Sequence, residues 1–289
     1  MKKLIFICIT AFLSMNLMAD FPGDFKTARN CYNKKEYPTA QASFIKLADA
    51  APTPKSKAQC LSWAALCLSR QKQYDQALEL AQKIELKPIS INCQMKIMLE
   101  NKKYKELIAA FKDEDIDAWP DYLVHHGFYE RGTAYRFSRD APAAVKDLEK
   151  AIEYGVTSER FLVIAWGELG GLYLGLKEDQ KALNAFRQVQ IVTKDKGSWI
   201  FPNSILGITG ILTRQGKYEE ALTELKKYDL SKPSGSWKFL ILKAYGDLYL
   251  AQGKKEEAIA QYKEAINVKG AHKSYIENLT KKLNEISGK

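Results

Sequence analysis

The sequence predicts an all-α chain, a solenoid of about seven helix–turn–helix units closed by a C-terminal capping helix, and three observations predict it. A small residue recurs: Ala40, Ala77, Leu107, Ala144, Ala182, Ala221 and Ala258 follow at spacings of 37, 30, 37, 38, 39 and 37 residues. Two more positions keep step with that series. Four residues on stand Phe44, Ala81, Phe111, Leu148, Phe186, Leu225 and Tyr262, and twelve residues before it stand Ala28, Ala65, Met95, Gly132, Gly170, Thr209 and Gly246. Finally, apolar residues within a unit return at three and four, as in Phe239, Leu242, Tyr245, Gly246 and Tyr249, which is helical periodicity without strand alternation. Small residues in constant order predict close approach of the two helices of a hairpin, with the large residue filling the gap to the next hairpin.

The elements follow in chain order. Residues 1–19 are predicted to be an export signal: Lys2 and Lys3, an apolar run from Leu4 to Met18, then Ala19 before Asp20. Leu17 is large for the position three before the cut, so an uncleaved anchor is the alternative; Cys8 inside the apolar run argues against a lipoprotein. No second run of this kind occurs, which predicts a mature chain without a membrane span. Residues 20–111 then hold units one to three, with Pro52 ending unit one and Pro88 nearly ending unit two, because proline cannot continue a helix. Unit three is the weakest, and Lys112-Asp113-Glu114-Asp115-Ile116-Asp117-Ala118-Trp119-Pro120 follows it as an acidic connection, 112–121, read as a bend or an ordinary long loop. Units four to seven occupy 122–270, with Gly216 and Gly253 at equivalent turns and Pro233 ending unit six. In the capping helix, 271–289, Tyr275, Ile276, Leu279, Leu283 and Ile286 form the apolar stripe, with Lys281, Lys282, Asn284 and Glu285 outside it.

Charge bounds the partners. The net charge of +10 is uneven: residues 20–110 carry 15 basic and 9 acidic side chains, 111–200 carry 12 and 15, and 201–289 carry 15 and 10. Basic ends suit acidic partners, such as anionic headgroups, wall polymers or acidic proteins, although lysines alternating with glutamates also describe solvated helix faces. No nucleic-acid motif is present, so nucleic acid is not an expected partner.

The residues that carry chemistry are few. Cys31, Cys60, Cys67 and Cys93 remain after the signal, all in units one to three. Cys60 and Cys67 lie on one helix, ~10.5 Å apart along its axis and too far to bridge. Cys31–Cys67 is the bridge favoured by repeat register; the other expectation is that the cysteines pack as small buried hydrophobes. His125 and His126 point about 100° apart on a helix and would need further ligands to hold a metal, so no metal site and no cofactor are expected. No activated Ser, Cys or His constellation, H-E-x-x-H or Walker loop is visible, which predicts a non-catalytic protein. The cluster Gly167, Gly170, Gly171 and Gly175 lies in mid-helix, where close helix packing explains it better than a phosphate loop does.

Trp166, Leu169, Gly170 and Tyr173, spaced W-x2-L-G-x2-Y, precede Ala182 and Phe186, spaced A-x3-F. On these residues the chain resembles the tetratricopeptide repeat family over residues 21–271, strongly in units five and seven and poorly in unit three. The resemblance implies a right-handed superhelix whose first helices line a concave groove. Carried position by position, that groove would hold Phe25, Arg29 and Tyr32, then Gln59, Ser62 and Arg70, then His126, Tyr129, Arg136 and Phe137. It would continue through Asn203, Leu206 and Arg214 to Lys243 and Asp247, with Ile164, Gly167, Gly171 and Leu174 as a shallow apolar floor in unit five. Phe25, Ser62 and Tyr129 stand where some relatives place a lysine that clamps a chaperone's acidic tail, so that ligand is not implied here.

The function expected is an exported, bacterial, periplasmic scaffold that binds protein or peptide segments of the cell envelope in this groove. Two alternatives stand beside it. One is a binder of carbohydrate or wall polymer through Trp119, Trp199 and Trp237; the other is an enzyme with a site between two arms near the acidic connection.

Overall fold

A computed structural model describes residues 20–155, 158–193, 200–231 and 235–288. The predicted export signal, Trp199 and Pro233 lie outside the described residues. Among the described residues the regular structure is helical, without strands. The first hairpin is α1 (Phe21–Asn33) and α2 (Tyr37–Asp49), the second α3 (Pro54–Arg70) and α4 (Tyr74–Gln82), the third α5 (Lys87–Glu100) and α6 (Tyr104–Phe111). A 3₁₀ turn, Ile116–Ala118, leads to the fourth hairpin, α7 (Asp121–Phe137) and α8 (Ala141–Glu153). The fifth is α9 (Glu159–Gly175) and α10 (Asp179–Val192), the sixth α11 (Ile200–Arg214) and α12 (Tyr218–Leu225), the seventh α13 (Gly235–Ala251) and α14 (Lys255–Ile266). The last helix is α15 (Lys273–Ser287). The chain forms two compact bodies, dividing between Tyr154 and Gly155 rather than at the acidic connection.

The repeat alignment is a map of the core. All seven residues of the alanine series have 0% exposure. Of the large residues four positions on, Phe44, Ala81, Leu148, Leu225 and Tyr262 are also at 0% and Phe186 at 2%. A Cβ added to Gly246 would lie 2.3 Å from the Tyr262 ring, and one added to Gly207 would lie 2.3 Å from Phe186, which therefore fills the space between its own hairpin and the next. Full burial of one such ring contributes roughly 1.5–3 kcal/mol, so the recurring aromatic is both spacer and stabiliser.

Each hairpin turn is built the same way. Five residues before each member of the alanine series stand Lys35, Lys72, Lys102, Arg139 and Lys177, with φ from 59° to 67°, and then Gly216 and Gly253 at 71° and 76°. The residue after each donates its N–H to a carbonyl five back, as from Gln73 to Leu68 and from Lys217 to Leu212. This is the glycine-type helix stop, in which a left-handed residue turns the chain so that the last carbonyls are satisfied. Two of these seven turns were legible as glycines; the other five carry cations in a conformation that glycine adopts more easily.

Prolines open helices here. Pro88 lies within the first turn of α5, as Pro22, Pro38, Pro54 and Pro142 do in α1, α2, α3 and α8. The expectation that Pro88 closes a unit is thus corrected: a first-turn N–H has no intrahelical partner, so its absence costs nothing there.

The acidic connection packs inside the first body. Ile116 and Trp119 are buried, and a Cβ on Gly127 would lie 2.6 Å from the Trp119 ring. Arg131 of α7 holds the segment: its Nε and NH2 donate to Asp147 at 2.7 and 3.0 Å, while its NH1 reaches the carbonyls of Phe111, Lys112 and Glu114 at 3.2–3.3 Å. One guanidinium thereby ties down carbonyls at and just beyond the C-terminus of α6.

The helix α15 covers the last hairpin. Leu279 is buried against Phe239 and Tyr262, with Ile276, Leu283 and Ile286 packed around it. Lys282, expected outside the stripe, instead turns inward, for a reason given below.

Candidate functional site

First helices of successive hairpins present one face in each body. In the first body that face begins as an aromatic cluster. Phe25 meets Phe44 edge-on at 5.5 Å, Trp63 stacks on Phe44 at 5.7 Å, and the Arg29 guanidinium lies 5.3 Å from the Trp63 ring. Tyr32 meets Trp63 edge-on at 5.1 Å. Its hydroxyl accepts from Arg70 Nε at 2.9 Å; Arg70 pairs with Glu100 at 3.0 Å, and the Ser69 hydroxyl also donates to Glu100. Tyr32, Arg70 and Glu100 thus link α1, α3 and α5. Burial pushes the Tyr32 phenol up, with Arg70 opposing; burial pulls Arg70 down and is outweighed by Tyr32 and Glu100. Of the carried-over residues Phe25, Arg29, Tyr32 and Arg70 are therefore brought together. Gln59 is exposed and Ser62 half-buried, its carbonyl lying 3.7 Å from the Cys93 thiol. Trp63 and Glu100 complete the cluster and were missed, because long-range pairing leaves no local signature.

On α7 the rings of His125 and His126 lie 4.1 Å apart. Burial, then Lys96, then His125 hold His126 down at about 3, and burial also lowers His125, so both imidazoles are neutral at pH 7. Tyr129 is half-buried on the same helix. Arg136 lies 4.1 Å over the Phe137 ring, which stacks on Tyr104 at 4.7 Å and is 48% exposed.

The four cysteines are unbridged, which does not bear out the Cys31–Cys67 bridge. Burial raises Cys60 and Cys93 to about 11 and Cys67 to about 12, so these thiols stay protonated and pack as small hydrophobes. No three His, Cys, Asp or Glu side chains among the described residues are grouped to hold a metal ion.

In the second body the glycines of α9 divide into two kinds. A Cβ on Gly170 would lie 2.5 Å from Phe186 and one on Gly167 3.1 Å from Ile200, whereas one on Gly171 or Gly175 meets nothing within 4 Å. Close packing, expected for all four, accounts only for the first two. Gly210 of α11 also faces open space. Ile164 and Leu174 are half-buried beside them on α9, as are Asn203 and Leu206 on α11. Arg214 is drawn to Asp179 at 2.7 Å.

Asp247 organises the far end of this face. It accepts from Lys243 at 2.6 Å, Lys282 at 2.5 Å and the Tyr262 hydroxyl at 2.7 Å. Burial pushes Asp247 up, but these donors outweigh it and leave the carboxylate below its ordinary value; burial and the Asp247 charge push the Tyr262 phenol far up. Lys282 was missed, yet it follows Lys243 by 39 residues, one repeat, so treating α15 as an eighth first helix finds it. Two cavities flank Lys243. One, of about 420 Å³, lies between α13 and α15, walled by Phe239, Leu240, Tyr275 and Leu279, with Lys243 and Lys282 at its edge. The other, of about 370 Å³, lies between α11 and α13, bounded by Leu206, Thr209, Gly210, Leu240, Lys243 and Asp247.

Stacked hairpins with a lined first-helix face define a repeat scaffold. The chain belongs to the tetratricopeptide repeat proteins: the family model "Tetratricopeptide repeat-like domain" matches residues 176–288 and the model "Tetratricopeptide repeat" matches 129–196. Its repeats make it a protein–protein interaction scaffold, in a family that is generally non-catalytic. Among solved structures, the C-terminal part of a repeat-containing protein from Cytophaga hutchinsonii is similar at TM-score 0.54 and 17% identity, covering 88% of this chain and 99% of that one. PilF of Pseudomonas aeruginosa is similar at TM-score 0.52 and 10% identity, covering 91% and 97%. These are likenesses of fold. Comparison with curated proteins finds no match.

Proposed function

We propose that the chain is an exported scaffold of the bacterial periplasm that binds peptide or protein segments of the envelope along its first-helix faces. The observation that carries the groove is the pair Gly171 and Gly210. Each lies inside a helix, where glycine costs about 1 kcal/mol relative to alanine, and neither is required by packing, since an added Cβ meets no atom within 4 Å. Glycines that serve no contact inside the fold keep a surface low enough for another chain to approach. Export is supported by the basic start, the apolar run and Ala19 of residues 1–19. No helix among the described residues is long and apolar enough to cross a membrane. The glycan reading loses one residue, because Trp119 is 5% exposed and donates its indole N–H to Glu114 at 3.2 Å.

Site-specific photo-crosslinking in the native cell tests this reading. A crosslinker at Leu206 on α11 is expected to capture a discrete envelope protein that a crosslinker at exposed Glu220 on α12 does not. Equal capture from both positions would refute groove binding, and a chain retained in the cytoplasm would refute export.

A further inference from the structure

The first body carries another exposed surface beside its first-helix face: the edge formed by its hairpin turns. Two sets of contacts align these turns. Tyr32, Arg70 and Glu100, at the C-terminal ends of α1, α3 and α5, are joined side to side, so the turns that follow them are neighbours. Phe137, the last residue of α7, stacks at 4.7 Å on Tyr104, the first residue of α6, which directly follows the third turn. Packed helices lie about 8–10 Å apart, and the four turns therefore form one continuous row.

Charge and shape agree along this row. Residues 34–36, 71–73, 101–103 and 138–140 hold six cations, Lys34, Lys35, Lys72, Lys102, Lys103 and Arg139, against two carboxylates, Glu36 and Asp140. The first turns of α4 and α6 add Asp75, Lys105 and Glu106, which leaves the row basic. Of the six cations all but half-buried Lys103 are exposed, and none is held in an ion pair among the described residues. Lys35, Lys72, Lys102 and Arg139 stand where the helix stop needs φ between 59° and 67°, a conformation that glycine adopts without strain. The helix macrodipole favours a cation at each such site singly; it gives no reason for a bare ring among them. Phe137 is nevertheless 48% exposed, with the Arg136 guanidinium 4.1 Å over its face. A soluble polyanion would use the charges and leave this ring in water. A bilayer interface uses both, the ring entering the headgroup layer and the cations meeting lipid phosphates.

We propose that this edge docks the first body on a bilayer containing anionic phospholipid, with Phe137 in the headgroup layer and the cations of the four turns on the phosphates. The proposal is independent of groove binding, whose glycines Gly171 and Gly210 lie in the second body. Co-sedimentation of residues 20–289 with vesicles tests it, the apolar run of 1–19 being left out because it would bind lipid by itself. At low salt the protein is expected to pellet with vesicles of phosphatidylcholine and phosphatidylglycerol in equal parts, and to stay in solution with phosphatidylcholine alone. Each cation at an anionic surface contributes about fivefold to partitioning, so Lys72→Gly with Lys102→Gly should lower it at least about tenfold. That variant should melt no lower than the wild type, because glycine relieves the left-handed backbone. Lys46→Gln with Lys57→Gln removes the same charge from exposed positions at the other ends of α2 and α3, and should leave partitioning nearly unchanged. Phe137→Ser should weaken binding with every turn cation still in place. Failure to pellet with the anionic vesicles, equal pelleting with the neutral ones, or equal loss in the two double variants would overturn the proposal. Wild-type binding by a folded Phe137→Ser variant would overturn it too, since charge alone would then account for the attraction.

Discussion

Gly170 and Phe186 are complementary: a Cβ on the glycine would lie 2.5 Å from the ring, so the absence of a side chain on α9 is the space that the ring of α10 occupies. One residue on, Gly171 faces nothing. Adjacent glycines on one helix therefore predict opposite effects. Gly170→Ala should destabilise the protein by roughly 1–3 kcal/mol through overpacking, and Gly171→Ala should stabilise it by about 1 kcal/mol through helix propensity. Denaturant melts of the two variants check this, and a shift of the same sign for both would contradict the packing described.

The hairpin turns give a second prediction. Lys72 and Lys102 hold φ of 62° and 59°, where a side chain costs roughly 1–2 kcal/mol relative to glycine. Lys72→Gly and Lys102→Gly should raise the melting temperature, and Gly253→Lys should lower it.

The pair of Arg131 and Asp147 is buried, with side chains 10% and 5% exposed. Removing one partner leaves the other desolvated, so Arg131→Met should destabilise the protein by about 3–5 kcal/mol. Double replacement by apolar residues should recover part of this loss, though not the capping of α6, and a double-mutant cycle on thermal stability measures the difference.

His126 gives stability a pH dependence. Its folded value is held near 3 against an ordinary 6.5, so the unfolded chain binds the proton first as the pH falls. Its contribution is whole above pH 6.5 and is lost progressively towards pH 3, amounting to about 2 kcal/mol by pH 5. Urea melts at pH 7 and pH 5 should show this loss, and His126→Gln should remove most of it.

What the sequence made legible was what repeats. The alanine series marked the core positions because close helix approach demands a small residue in every hairpin. Lys35, Lys72, Lys102, Arg139 and Lys177 gave no sign of their left-handed backbone, since that conformation is imposed by the helix stop and not by their side chains. Arg131 and Glu100 were illegible for another reason: their partners come from other helices, and a single sequence does not state such pairings. Arg29, Tyr32 and Arg70 were named from register alone, but that Arg70 is held by Glu100 and Arg214 by Asp179 required coordinates. Arg70 and Arg214 consequently serve less as free carboxylate grips than as members of ion pairs within the fold.

The most direct test is the affinity of the partner captured by crosslinking for a variant carrying Gly171→Leu and Gly210→Leu, measured by titration calorimetry beside the wild type. Both leucines enter open space, so a protein of unchanged or higher stability that has lost at least about tenfold in affinity is the expected result. An unchanged affinity in a folded variant would contradict the claim that this face binds the partner.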